Sequence, residues 1–149
     1  MTENSVKHST FTLERTYSSS PAQVFAAWAD RDAKAKWYAG RDDAYTLDFR
    51  VGGTETAHGR TDDGAELVAE SVYHDIRTDE RIVYSTALHG RGALATVSLT
   101  TVQFLPDGTG TRLVLTEQDT FLDDQEQPEW RHEGTETWLD ALGRHLDQL

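Results

Sequence analysis

From Tyr45 to Asp119 the chain alternates apolar and polar residues in successive runs separated by turn-forming residues. Side chains on a strand point alternately to two faces, so period-two runs joined by short turns require an antiparallel meander. The runs are Tyr45–Val51, Thr54–Arg60, Glu66–Ile76, Arg81–His89, Leu94–Leu105 and Thr111–Asp119. Between them lie Gly52-Gly53, Asp62-Asp63-Gly64, Arg77-Thr78-Asp79-Glu80, Gly90-Arg91-Gly92 and Pro106-Asp107-Gly108, each rich in residues that favour tight turns. Such a sheet has one face to bury, and the sequence supplies one long cover. Pro128 opens a helix predicted to run to His145, with Trp138, Leu142, Leu146 and Leu149 in one stripe and Leu139 beside it. Glu126, Glu129 and Glu133 lie toward its start and Arg144 and His145 toward its end, which suits the helix dipole. The fold class is therefore α+β.

The segment ahead of the meander completes the plan. Phe11–Tyr17 alternates and reads as a first strand. Ser20 is an N-cap, Pro21 occupies the first helical position, and Gln23 completes a capping box. Val24, Phe25 and Trp28 follow on one helical face. Asp30 or Asp32 can cap a second short helix ending near Trp37-Tyr38, with Gly40 as its stop. Residues 1–9 read as a frayed N-terminus and 10–149 as a single domain.

Charge and composition exclude several functions. A formal net charge of −12 repels nucleic acid and anionic membrane surfaces, so neither is expected as a partner. With no cysteine there can be no disulfide, thiolate metal site or Cys nucleophile. The first ten residues lack the apolar core of a signal peptide, and no run is long enough to span a membrane, so a cytoplasmic protein is expected. No metal or cofactor is expected either. His132-Glu133-Gly134-Thr135-Glu136 misses the zinc pattern because Glu136 stands where a second His must share the helix face. No Gly-x-Ser-x-Gly elbow surrounds a serine, and Gly52-Gly53 lacks the Lys-Ser/Thr of a phosphate-binding loop.

What remains are polar residues on otherwise apolar strands. Glu70 and His74 alternate with Val68, Val72 and Ile76; Glu117 follows Leu113 and Leu115; His58 shares a face with Thr54 and Thr56. These either enter a cavity and orient a ligand or lie on the solvated face, and alternation alone does not say which face is inside. Glu117 is the leading candidate, because its strand should lie near the long helix. Trp28, Trp37, Tyr38, Tyr84 and Trp138 can build an apolar cavity with polar handles, or an ordinary core. Gly134 is a mid-helix glycine one turn before Trp138, and it either opens space against the sheet or permits a close backbone contact.

The order of elements, with Ser20–Phe25 and Trp28, Ala35–Tyr38, Asp48–Gly53, Thr78–Tyr84, and Gly134 with Trp138–Leu142, resembles the START-like superfamily. More narrowly, it resembles the family related to the C-terminal domain of the Hsp90 ATPase activator, whose bacterial members include polyketide cyclase-like proteins. The resemblance spans Phe11 to Leu146 and implies a helix-grip fold, in which a curved antiparallel sheet wraps a long C-terminal helix, with two short helices after strand 1. It carries no shared catalytic residue. The expected function is binding of a small, largely apolar or aromatic molecule between sheet and helix, with Trp37, His58, Tyr84, Glu117, Gly134 and Trp138 as candidate ligand-binding residues. The alternatives are proton-transfer chemistry of the cyclase or dehydratase kind, and a chaperone partner, which the resemblance alone suggests.

Overall fold

The computed structural model describes residues 5–40 and 43–149. Seven strands form one antiparallel sheet in the order β1-β7-β6-β5-β4-β3-β2. In chain order these are β1 (Val6–Tyr17), β2 (Thr46–Leu47), β3 (Thr54–Arg60), β4 (Glu66–Arg77), β5 (Arg81–Gly90), β6 (Ala93–Asp107) and β7 (Gly110–Leu122). The helices are α1 (Pro21–Ala29), α2 (Arg31–Lys34), which runs on into a π-helical turn at Ala35–Ala39, and α3 (Pro128–Asp147). The first strand is longer than Phe11–Tyr17 because Val6–Ser9, expected to fray, pair with Leu122–Asp119 of β7. Residues 1–4 of the expected frayed segment lie outside the described residues. The run Tyr45–Val51 pairs only through Thr46 and Leu47, because the chain then turns at Val51-Gly52. Gly53 is required there, since a Cβ would lie 2.0 Å from the Asp48 carbonyl oxygen.

Local chemistry sets the helix starts. The Gln23 backbone N–H donates to Ser20 Oγ, and the Ser20 N–H donates to Gln23 Oε1 at 2.9 Å, so the capping box is formed. The Asp30 carboxylate then accepts from the Ala33 N–H at 2.9 Å and caps α2. Gly40, at φ +61°, stops the π-turn as expected. That turn places neighbouring residues in different settings, Trp37 in the core and Tyr38 at a cavity.

The inner face of the sheet is divided along its length. Ile82, Val102, Phe104, Leu113 and Leu115 form an apolar half beneath Val24, Phe25 and Trp28 of α1. On α3, Leu139, Leu142 and Leu146 close over this core, each contributing roughly 1.5–3 kcal/mol by leaving water. The Tyr17 hydroxyl donates to the Leu139 carbonyl at 2.9 Å and ties the first strand to the last helix. Leu149, expected in the same stripe, is 77% exposed because α3 ends at Asp147. The other half of the inner face is polar: Thr86, Thr96, Ser98, Thr100, Glu117 and Asp119 are all buried.

Two irregularities bend the sheet, one at Tyr73/Asp75 of β4 and one at Leu88/His89 of β5. The first also resolves the face of β4. Ser71 and Tyr73 point inward, Glu70 and His74 outward, and the extra residue brings Ile76 back to the core side. Glu70 and His74 therefore belong to the solvated face, where Glu70 lies 3.9 Å from His89 and His74 bonds Ser85.

Candidate functional site

The polar half of the sheet and the first turns of α3 enclose a cavity of about 310 Å³. The sheet contributes Tyr84, Thr86, Thr100 and Glu117 to its lining, α3 contributes Trp130, Arg131 and Trp138, and the π-turn contributes Tyr38. Glu117 projects inward because it keeps the parity of Leu113 and Leu115 along β7. Arg131 reaches it from α3: its Nε donates to Glu117 Oε2 at 2.8 Å, and one terminal nitrogen donates to Ser98 Oγ at 2.9 Å. The other terminal nitrogen lies 3.5 Å from Glu126, whose carboxylate accepts from Thr96 Oγ1 at 2.5 Å. Burial opposes the charge on Arg131, but Glu117, Glu126 and Asp119 around it outweigh burial and raise its pKa.

Asp119 lies beside this group, two residues along β7 from Glu117. As a carboxylate it has no donor within reach and is buried. Protonated, it can donate to Glu117. Burial first, then this hydrogen bond and the charge of Glu117, push its pKa up to about 8. The site thus holds two adjacent carboxyl groups, one kept as a proton donor by its surroundings.

A second buried network backs the aromatic wall. Lys34, at the end of α2, lies 2.7 Å from Glu55 of β3, and the two side chains are 1% and 2% exposed. Glu55 also accepts from the Tyr45 hydroxyl and, at 2.9 Å, from the Tyr73 hydroxyl. The Lys34 ammonium sits over the rings of Tyr38 and Tyr84, at 4.6 and 5.7 Å from their centroids. Desolvation lowers the Lys34 pKa against the pull of Glu55. The network pins the π-turn to β3, β4 and β5 and so fixes Tyr38 and Tyr84 as a wall.

Of the residues singled out from sequence, Tyr84, Glu117, Gly134 and Trp138 line this cavity together. At Gly134 a Cβ would meet nothing within 4 Å, so the glycine opens space and is not there for a close backbone contact. His58 also borders the cavity, but it has the outward parity of Thr54 and Thr56, and its ring lies 3.9 Å from Glu66. Trp37 stands one layer behind, with its indole N–H on the Ala27 carbonyl at 3.1 Å and its ring against Trp28 and Trp138. His132 and Glu136 pair with each other at the surface, and no group of metal-ligating residues occurs among the described residues.

Sequence reasoning missed Arg131, Lys34 and Glu55. Arg131 was open to discovery, because it precedes Trp138 by two helical turns and shares its face. Glu55 alternates with Ala57 on the face of β3 opposite His58, and in Thr54–Arg60 no apolar run marks that face as the inner one. No local pattern marks Lys34, which sits among charged neighbours in a short helix.

A curved antiparallel sheet closed over a long C-terminal helix, with a cavity between them, defines a helix-grip protein. The chain belongs to the Activator of Hsp90 ATPase homolog 1-like protein family, whose model matches residues 18–147. Two solved structures are similar over nearly the whole chain. A Rhizobium leguminosarum protein is 37% identical, with a TM-score of 0.93 over 98% of this chain and 99% of that one. The protein Mll3558 from Rhizobium loti is 42% identical, with a TM-score of 0.89 over 95% and 99%. CalU16 from Micromonospora echinospora shares the fold, with a TM-score of 0.70 at 18% identity over 97% and 85%. Among curated proteins none is significantly similar to the chain. No helix among the described residues is long and apolar enough to cross a membrane.

Proposed function

We propose that the protein binds a small, largely apolar molecule in the cavity between the sheet and α3. The observation that carries this reading is Gly134. A glycine inside a helix costs about 0.5–1 kcal/mol relative to alanine, and here no neighbour occupies the space that a Cβ would fill. The helix gives up stability in the stretch that faces the cavity, between Arg131 and Trp138. Tyr84 and Trp138 supply apolar surface, while Glu117, Thr86 and Thr100 supply orienting polar groups. A thermal-shift and NMR screen with fatty acids, flavonoids and polyketide-like aromatics tests the reading. Shifts confined to Gly134, Trp138 and Tyr84 are expected, and a screen without any such shift removes it.

A second reading, proton-transfer chemistry on the bound molecule, draws support from the Asp119–Glu117 pair. Glu117 reaches the cavity and Asp119 can return a proton to it, so the pair can take a proton from a ligand and give it back. Deuterium exchange into a bound carbonyl compound, lost in Glu117→Gln with binding retained, is the expected signature. Exchange at the same rate in the variant rules it out.

A further inference from the structure

The cavity opens past Leu67, Leu88, Glu126 and Trp130 into a surface cleft of about 590 Å³, because these four residues line both. The cleft is acidic. Asp62, Asp63, Asp124 and Glu126 line it, and Arg91 pairs with Asp63 and Lys7 with Asp124, so four carboxyl groups stand against two cations. Inside, the balance has the same sign. Glu117 and Glu126 face one guanidinium, Arg131, whose Nε and one terminal nitrogen are already committed to Glu117 and Ser98. A ligand carboxylate would therefore pass an acidic approach and meet two carboxylates around an arginine that is already neutralised. Trp130, 61% exposed at the junction, offers a ring face beside Glu126.

We infer that the ligand is an amphipathic amine, with an apolar or aromatic body against Tyr38 and Tyr84 and an ammonium group at the Glu117–Glu126–Trp130 end. This rests on the proposed ligand-binding reading and gives it a chemical class. The orientation follows from where the carboxylates stand. The faces of Tyr38 and Tyr84 are already occupied from the protein side by the Lys34 ammonium, which Glu55 neutralises, whereas Glu126 and Trp130 line both the cavity and its mouth. The acidic cleft adds attraction during approach, which salt screens. Asp119 bears on this end as well, since its carboxyl is buried beside Glu117 and Arg131.

The test uses three ligands with one ring system: tryptamine, tryptophol and indole-3-propionate, which carry an ammonium, a hydroxyl and a carboxylate. Titrations at pH 7, by calorimetry and by NMR of the Trp138 and Trp130 indoles, should rank them in that order. The ammonium should bind at least about tenfold tighter than the carboxylate at low ionic strength and lose much of that margin in 0.5 M salt, where the Debye length falls to about 4 Å from about 30 Å at 0.01 M. Glu117→Gln should shrink the ammonium-to-carboxylate ratio. Because Glu117 is buried, Trp130→Ala serves as a second variant at an exposed position and should weaken tryptamine more than tryptophol. Carboxylate binding as tight as ammonium binding overturns the inference and leaves the ligand-binding reading standing. So does binding of apolar acids or neutral aromatics from the wider screen when tryptamine fails. If neither series nor screen binds, both readings fall together.

Discussion

The Lys34 Nζ lies 2.7 Å from Glu55 Oε2, and neither side chain reaches solvent. Each partner is buried for the sake of the other, so removing one leaves an uncompensated charge. Lys34→Met and Glu55→Gln should each cost about 3–5 kcal/mol, and the double variant should cost clearly less than their sum. Urea denaturation of the four proteins in the cycle measures this. Additive losses would mean that the two groups do not act as a pair.

At Gly134 stability and binding should move in opposite directions. Gly134→Ala should raise the unfolding free energy by about 0.5–1 kcal/mol, because the helix gains and nothing clashes. The same methyl group enters the cavity, so any ligand found for the wild type should bind more weakly. A variant that is destabilised, or that binds unchanged, would place the glycine's role elsewhere.

Asp119 gives a pH signature. Its pKa rises from 3.8 in the unfolded chain to about 8 in the folded protein, so the folded state holds the proton more firmly. Folding therefore takes up a proton between about pH 4 and about pH 8, and this contribution to stability declines across that window as pH rises. Asp119→Asn keeps a neutral donor toward Glu117 at every pH. Its thermal midpoint should gain on the wild type steadily from pH 5 to pH 8, and parallel profiles would show that Asp119 does not titrate in this range.

The Ser20 cap allows a simpler check. Ser20→Ala removes one half of the capping box and should cost about 1 kcal/mol without altering the cavity. A loss near zero in chemical denaturation would show that Pro21 and tertiary packing alone hold the start of α1.

Local signals accounted for most of the fold. The Ser20 box, the Pro128 start and the period-two runs each lie within a few residues of the structure they specify. The site was legible only where a pattern crossed a face. Glu117 follows two core leucines on its strand, and Gly134 leaves a gap in a helix face one turn before Trp138, so each departs from an otherwise regular stripe. The outward turn of Glu70 and His74 depended on pairing partners, and the bulge after Tyr73, where Asp75 and not His74 pairs with Val83, is visible only in the register of β4 with β5. Lys34 and Glu55 are distant in sequence and meet only when α2 docks on the sheet. Nothing within either segment announces the other.

The pairing of β1 with β7 joins Val6 to Leu122 and Tyr17 to Thr111, so the first strand made is completed by the last. On the ribosome β1 must wait through the synthesis of every other strand before it has a partner. Contacts of such long sequence separation slow folding, and a lone strand meanwhile invites association with other chains. The charges of Lys7, Glu14 and Arg15 along β1 guard it during that wait, and in the finished protein the same residues reach Asp124, Arg112 and Asp140. One set of side chains thus protects the nascent strand and later fastens it.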